Sequence, residues 1–200
     1  MKQFDVYIVG LGGQGVLTIG DLLSRAAMDK GMDVNFYPSK GMSQRGGFVQ
    51  GQLRFGRPEC GPSLTPGNAD LVVSMERSES LKGVRFAKKG GDFLLYDDTW
   101  YTTNVIMKKD TYPELSLVTD EIKKTGVTLY CLNSEHLPVV NGVPVRPNMY
   151  ILGALLSNTG LKDLFTLDEV IETLKKSFPK GVEANLVALK AGYDAKLVKE

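Results

Sequence analysis

Apolar positions along this chain recur with two periods, and the segments that carry them take turns. Residues 4–9 form an apolar run of strand length. Residues 14–30 then set Val16, Ile19, Leu23, Ala26 and Ala27 near one helical face, with Gly31 to end the helix. A second short strand is predicted at 34–37. Residues 48–55 alternate Val49, Gly51, Leu53 and Phe55 against Gln50, Gln52 and Arg54, the period of a half-exposed strand. Glycines and prolines make 57–68 a loop. Residues 69–75 and 93–96 read as buried strands with a polar helix between them, and 127–132 as the last strand.

Beyond that point the pattern turns helical. Pro147 suits the first position of a helix whose apolar face holds Met149, Leu152, Leu155 and Leu156. Thr166 to Glu169 has capping-box spacing ahead of Val170, Ile171 and Leu174. A final helix over 182–199 places Val182, Leu186, Leu189, Tyr193 and Leu197 on one stripe. Alternating strands and helices predict an α/β fold with a mostly parallel sheet flanked by helices and a helical C-terminal part. Residues 1–200 read as a single domain without repeats.

The turn between the first strand and helix carries the first candidate chemistry. Gly10, Gly12 and Gly15 fit the G-x-G-x-x-G spacing, with Gly13 and Gln14 between them. Glycines so placed allow a tight turn and let backbone N–H groups approach a phosphate-sized anion. A dinucleotide site also expects an acid about 20 residues on, at the end of the second strand. Here that strand runs into Pro38 and Lys40, and Asp33 precedes it. Plain NAD binding is therefore disfavoured, and a ligand or partner bearing phosphate remains.

A second unusual segment joins two strand candidates at 39–47. Lys40 and Arg45 stand among Gly41, Gly46 and Gly47 without apolar periodicity. Such a loop can wrap an anion or reach across a subunit boundary, with Arg45 as a planar fork for carboxylate or phosphate. The alternative is a solvated loop whose glycines only serve turns.

Other polar residues have plainer readings. His136, the lone histidine, has no partner at triad-like spacing and reads as a loop residue. Glu76 and Arg77 follow a strand at the ligand end of a parallel sheet, but suit the first turn of a helix better. Asp97 and Asp98 can bind magnesium through oxygen; capping carboxylates at a turn explain them more simply. Asn148, beside Arg146 at a helix start, can donate to a ligand or hold the neighbouring loop. Trp100 and Tyr101 fit an interface anchor or core packing.

Composition narrows the classes. A formal charge of +1 gives no overall case for nucleic acid or an acidic membrane surface. No apolar stretch approaches the roughly 20 residues that span a bilayer. Two cysteines, Cys60 and Cys131, frame neither an iron–sulfur cluster nor a zinc site, so no metal site is expected. Both read as reduced thiols in a cytoplasmic protein.

Together, the two glycine segments resemble a known family. Gly10-x-Gly12-Gly13-Gln14-Gly15-Val16 followed by Ser39-x-Gly41-Met42-x-Gln44-Arg45-Gly46-Gly47 is similar to the gamma-type domain of 2-oxoacid:ferredoxin oxidoreductases. The Met-x-Gln-Arg-Gly-Gly form is closest to the beta subunit of indolepyruvate ferredoxin oxidoreductase. Asn148-Met149 with Leu152-Gly153-Ala154, and Asn185-x-x-Ala188-x-x-x-Gly192, extend the resemblance over nearly the whole chain.

The resemblance implies a Rossmann-like subunit, inactive alone, of a complex that oxidatively decarboxylates an aryl pyruvate such as indolepyruvate to an acyl-coenzyme A, reducing ferredoxin. It implies thiamine diphosphate, Mg and [4Fe–4S] clusters on a larger partner subunit, none of them bound by this chain alone. Arg45 is then the catalytic candidate. Gly10, Gly12, Gly13, Gln14, Gly15, Lys40, Gly46, Gly47 and Asn148 are cofactor-binding candidates, with coenzyme A at the subunit interface. The alternatives are a free-standing nucleotide- or flavin-binding oxidoreductase and a non-catalytic assembly module.

Overall fold

A computed structural model describes residues 2–41, 46–179 and 181–199. A six-stranded sheet runs in the order β2-β3-β1-β4-β5-β6. Its strands are β1 (Phe4–Leu11), β2 (Val34–Lys40), β3 (Phe48–Phe55), β4 (Ala69–Ser74), β5 (Ala87–Tyr96) and β6 (Thr128–Leu132). The parallel part expected from the alternation is β1-β4-β5-β6. The sequence pattern did not reveal that β3 runs antiparallel between β1 and β2, which makes the sheet mixed.

Side chains alternate across the sheet, so each face builds its own core. On one face, Val6, Ile8, Leu71, Val73 and Leu94 pack under four helices. These are α1 (Val16–Asp29), α5 (Pro147–Asn158), α6 (Leu167–Ser177) and α7 (Val182–Asp194). On the other, Tyr7, Val9, Val72, Phe93 and Leu95 meet Val118 and Ile122 of α4 (Leu115–Lys123). The short helices α2 (Ser80–Val84) and α3 (Thr103–Ile106) precede α4.

Local signals act where they were expected. Pro147 occupies the first turn of α5, and Thr166 and Glu169 form a reciprocal capping box at α6. The last helix ends at Asp194, short of the predicted 199. Two further strands, β7 (Val139–Val140) and β8 (Val143–Pro144), form a hairpin too short for periodicity to show.

The tightest helix contact joins α5 to α7. Gly153 faces Leu189 and Gly192 faces Tyr150, so the two helices run antiparallel. A Cβ at Gly192 would lie 1.8 Å from the Tyr150 carbonyl oxygen, and one at Gly153 would lie 2.0 Å from that of Leu189. Both neighbours are backbone and cannot turn aside. Gly192→Ala must therefore part the helices and is expected to destabilise the chain by about 1–3 kcal/mol. Urea denaturation checks this; a midpoint unchanged from wild type would refute the contact.

Candidate functional site

The carboxyl ends of the parallel strands, where an α/β sheet presents its loops to ligands, hold most of the sequence candidates. Gly10 and Leu11 close β1, and Gly13 and Gly15 adopt the left-handed conformation (φ +102° and +90°) that turns the chain into α1. Gly12 N–H donates to the Gly47 carbonyl (2.8 Å), and Gly46 N–H donates to the Gly12 carbonyl (3.2 Å). The glycine turn and the base of the 39–47 loop are thus joined backbone to backbone. Lys40 ends β2, and Gly41 N–H donates to the Phe48 carbonyl across the loop's neck (3.0 Å). Arg45 lies outside the described residues.

Gln14 is bound into the fold. Its Oε1 accepts from Leu11 N–H (2.8 Å), while its Nε2 donates to the Met75 carbonyl (2.9 Å) and to Asp98 Oδ2 (3.2 Å). Gln14 N–H also donates to the Leu11 carbonyl (3.2 Å). Two amides of the turn, those of Gly12 and Gln14, therefore satisfy protein carbonyls.

This arrangement also explains why the dinucleotide acid has no place here. In a dinucleotide-binding unit the second strand lies beside the first, and its end reaches the ribose. In this sheet β3 fills that position, so the end of β2 stands one strand further away.

Asn148 packs against Gly15. Its Nδ2 would lie 2.5 Å from a Cβ placed on that glycine, so the absence of a side chain at Gly15 admits the amide. Asn148 is 5% exposed, and its Oδ1 has no hydrogen-bond partner among the described residues. An orphaned buried polar atom costs about 1–3 kcal/mol. Asn148 also lines a cavity of about 490 Å³ together with Arg146 and Asn185. The sequence flagged Asn148 and Asn185 as motif residues but gave no sign that they share a cavity.

A polar cluster beyond β4 was read from sequence as first-turn charges. Glu76 is fully buried and accepts from Ser78 Oγ (2.7 Å), Glu79 N–H (2.8 Å), Trp100 N–H (3.2 Å) and the Tyr112 hydroxyl. Burial first, and then this hydrogen bond, push the Tyr112 phenol above its ordinary range, so it stays a donor. Arg77 forms a two-pronged pair with Asp97 (2.7 and 3.1 Å), which raises the guanidinium further. Trp100 lies over Gly46, its Nε1 3.2 Å from the site of a Cβ there. Asp97 and Asp98 are thus structural acceptors, and Trp100 and Tyr101 are 48% and 56% exposed.

Among the described residues no group of three or more His, Cys, Asp and Glu side chains can hold a metal ion. A [4Fe–4S] cluster is held by four cysteines, and the sequence has two, so this chain's residues do not fit one. No helix among the described residues is long and apolar enough to cross a membrane.

Sheet order, glycine turn and flanking helices define a Rossmann-like α/β domain of the kind found in 2-oxoacid oxidoreductases. The chain belongs to the pyruvate ferredoxin/flavodoxin oxidoreductase family, which it matches over residues 5–195. It is 33% identical to indolepyruvate oxidoreductase subunit IorB of Thermococcus kodakarensis, covering 98% of this chain and 96% of that protein. Its fold matches pyruvate oxidoreductase subunit PORC of Thermotoga maritima at a TM-score of 0.69 and 19% identity, covering 100% of this chain and 99% of that one. It also matches 31% of a 2-oxoglutarate:ferredoxin oxidoreductase chain from Magnetococcus marinus, solved with 2-oxoglutarate, coenzyme A and succinyl-CoA bound, at a TM-score of 0.62 and 20% identity over 96% of this chain.

Glu76→Ala leaves four donors unpaired and releases the Trp100 segment. An expected loss of about 2–4 kcal/mol in urea denaturation combines the orphaned donors with the vacated space. Trp100 is the only tryptophan, so acrylamide quenching of its fluorescence reads the release directly. Quenching equal to wild type would show that Glu76 does not hold it.

Proposed function

We propose that this chain is the small subunit of an indolepyruvate-type 2-oxoacid:ferredoxin oxidoreductase, cytoplasmic and inactive alone. The full-length likeness to an indolepyruvate oxidoreductase subunit carries this reading. The complex oxidatively decarboxylates an aryl pyruvate, passes the acyl group to coenzyme A and reduces ferredoxin. Thiamine diphosphate with Mg supplies the carbanion chemistry, and [4Fe–4S] clusters the electron path, both on a larger partner subunit. Neither residue set belongs to this chain, which has two cysteines and no Gly-Asp-Gly segment followed by an Asn pair.

This chain's own part is to bind and to enclose. The glycine turn, Gly46 and Gly47 fix where the 39–47 loop leaves the sheet, and Lys40 and Arg45 bring positive charge to it. Arg45 suits a carboxylate or phosphate by its planar fork. Met42 suits the flank of an aromatic substrate. Held over the partner's active site, the loop excludes water from the reactive acyl intermediate. Gly10, Gly12, Gly13, Gln14, Gly15 and Asn148 form the wall behind it, against which coenzyme A is proposed to lie at the subunit interface.

Anaerobic pull-down of the tagged chain from its host should bring down one large subunit containing iron–sulfur and thiamine. The pair should reduce ferredoxin with indolepyruvate and coenzyme A. A lone chain carrying flavin or nicotinamide would establish a free-standing oxidoreductase instead. In the assembled complex, Arg45→Ala removes charge-assisted hydrogen bonds of about 1.5–3 kcal/mol, so kcat/KM should fall on the order of 10- to 100-fold. Unchanged turnover with assembly intact would remove Arg45 from the mechanism.

A further inference from the structure

The polar side of β3 is not turned to water, although its period reads as half-exposed. Gln52 is 3% exposed and Gln50 is half-buried, on the sheet face that Tyr7 and Val9 share. On that face α2 packs on β1 and β4, and α4 on β6. Beyond these helices, Tyr37 and Ser39 of β2 pair with Gln52 and Gln50, and the four side chains floor a cavity of about 290 Å³. The 57–68 loop walls it through Ser63, Leu64 and Pro66, and the end of α2 through Arg85 and Phe86.

What the floor can offer is set by the bonds it already makes. Gln52 Oε1 accepts from Leu64 N–H (2.6 Å), and Gln50 Oε1 accepts from the Tyr7 hydroxyl (2.6 Å). A backbone N–H only donates, so the Gln52 amide has one orientation. Tyr7 stays a donor: burial pushes its phenol up to about 12, with Arg85 opposing the rise and Glu79 adding to it. Each amide therefore has its NH2 end left to offer.

Arg85 brings the charge. It is exposed, lies over the Phe86 ring (4.6 Å) and pairs with no carboxylate among the described residues. No acid lines the cavity. Glu79, the acid that acts on Tyr7, gives both oxygens to Lys82 Nζ (2.8 Å each). The lining is thus rich in donors and carries one uncompensated positive charge. A guanidinium balances a carboxylate monoanion, whereas a phosphate monoester would bring about −1.5 to −2.

We propose that this cavity binds a small aromatic carboxylate. The carboxylate lies between Arg85 and the NH2 groups of Gln50 and Gln52. The ring lies against Tyr37 and Pro66, which are exposed at the rim. The site is on the opposite face of the sheet from α1 and does not rest on the subunit reading above.

Calorimetric titration of the full chain with phenylacetate tests this, with phenylacetamide as the uncharged isostere and inorganic phosphate as the rival anion. Phenylacetate should bind, and phenylacetamide should bind about tenfold or more weakly because charge-assisted bonds are lost. Gln50→Glu keeps an acceptor for Tyr7 and puts a negative oxygen where the NH2 group stood. It and Arg85→Gln should each weaken phenylacetate by about tenfold or more. Tyr37→Ala should weaken acid and amide by the same factor, since it removes ring contact alone. Phosphate that binds the site more tightly than phenylacetate would overturn the carboxylate assignment, as would an amide that matches the acid. The proposal also fails if wild type binds no phenylacetate at about 10 mM. It fails equally if Arg85→Gln and Gln50→Glu, shown folded by circular dichroism, bind phenylacetate as wild type does.

Discussion

Two backbone hydrogen bonds, Gly12 to Gly47 and Gly46 to Gly12, determine what the carboxyl edge of this sheet can be. They exist because β3 returns antiparallel beside β1, pairing Leu11 with Phe48 and bringing the residues before Phe48 level with the glycine turn. A Cβ at Gly46 would meet the Trp100 indole, 3.2 Å from its Nε1. Gly46 also takes a left-handed conformation, at φ +68°. The bonds fix the turn and the loop to each other, and they direct turn amides inward. A motif that elsewhere cradles phosphate becomes, in this chain, the hinge plate of a loop.

The remaining contacts at that edge reinforce the same junction from a second side. Gln14 links the turn to Met75 and Asp98, Arg77 holds Asp97, and Glu76 holds Trp100 and Tyr112. Trp100 then returns to cover Gly46, which closes the circuit. A fully buried carboxylate is unfavourable unless its lone pairs are filled, and four donors fill those of Glu76. Removing Glu76 leaves its donors unpaired around a fully buried position, whereas Gln14, Arg77, Asp97 and Asp98 are partly exposed and can turn to water. The Glu76 contacts thereby hold in place the segment that covers Gly46 at the base of the loop.

The elements were legible because each rests on local chemistry. Hydrophobic period gave β1, α1 and β3, and Pro147 and Thr166 marked helix starts through their own backbone demands. Sheet order was not legible: the short connection between Lys40 and Phe48 favours a hairpin over a parallel crossover, but nothing in residues 34–55 tells that β3 rather than β2 lies beside β1. Glu76 was unreadable for a related reason. Its partners Trp100 and Tyr112 lie 24 and 36 residues away, and only the fold brings them together. Gly153 and Gly192 were visible as motif residues. Their cause, two helix backbones in contact, needed the structure.

The two edges of the sheet differ in a way that bears on where a partner sits. At the amino edge, charges are matched within the chain: buried Asp5 lies between Arg54 and Arg57, and Asp70 pairs with Lys88. Such an edge has little unmet electrostatic demand. At the carboxyl edge, Trp100 and Tyr101 stay about half exposed although Glu76 and Tyr112 hold their segment rigidly. An aromatic kept in water by a fixed scaffold forgoes about 25 cal/mol for each Å² left unburied. Folding alone gives no reason to hold it there, and the proposed partner subunit would supply one. The 39–47 loop leaves from the same edge, so the larger subunit proposed above would meet the exposed aromatics and the base of the loop together.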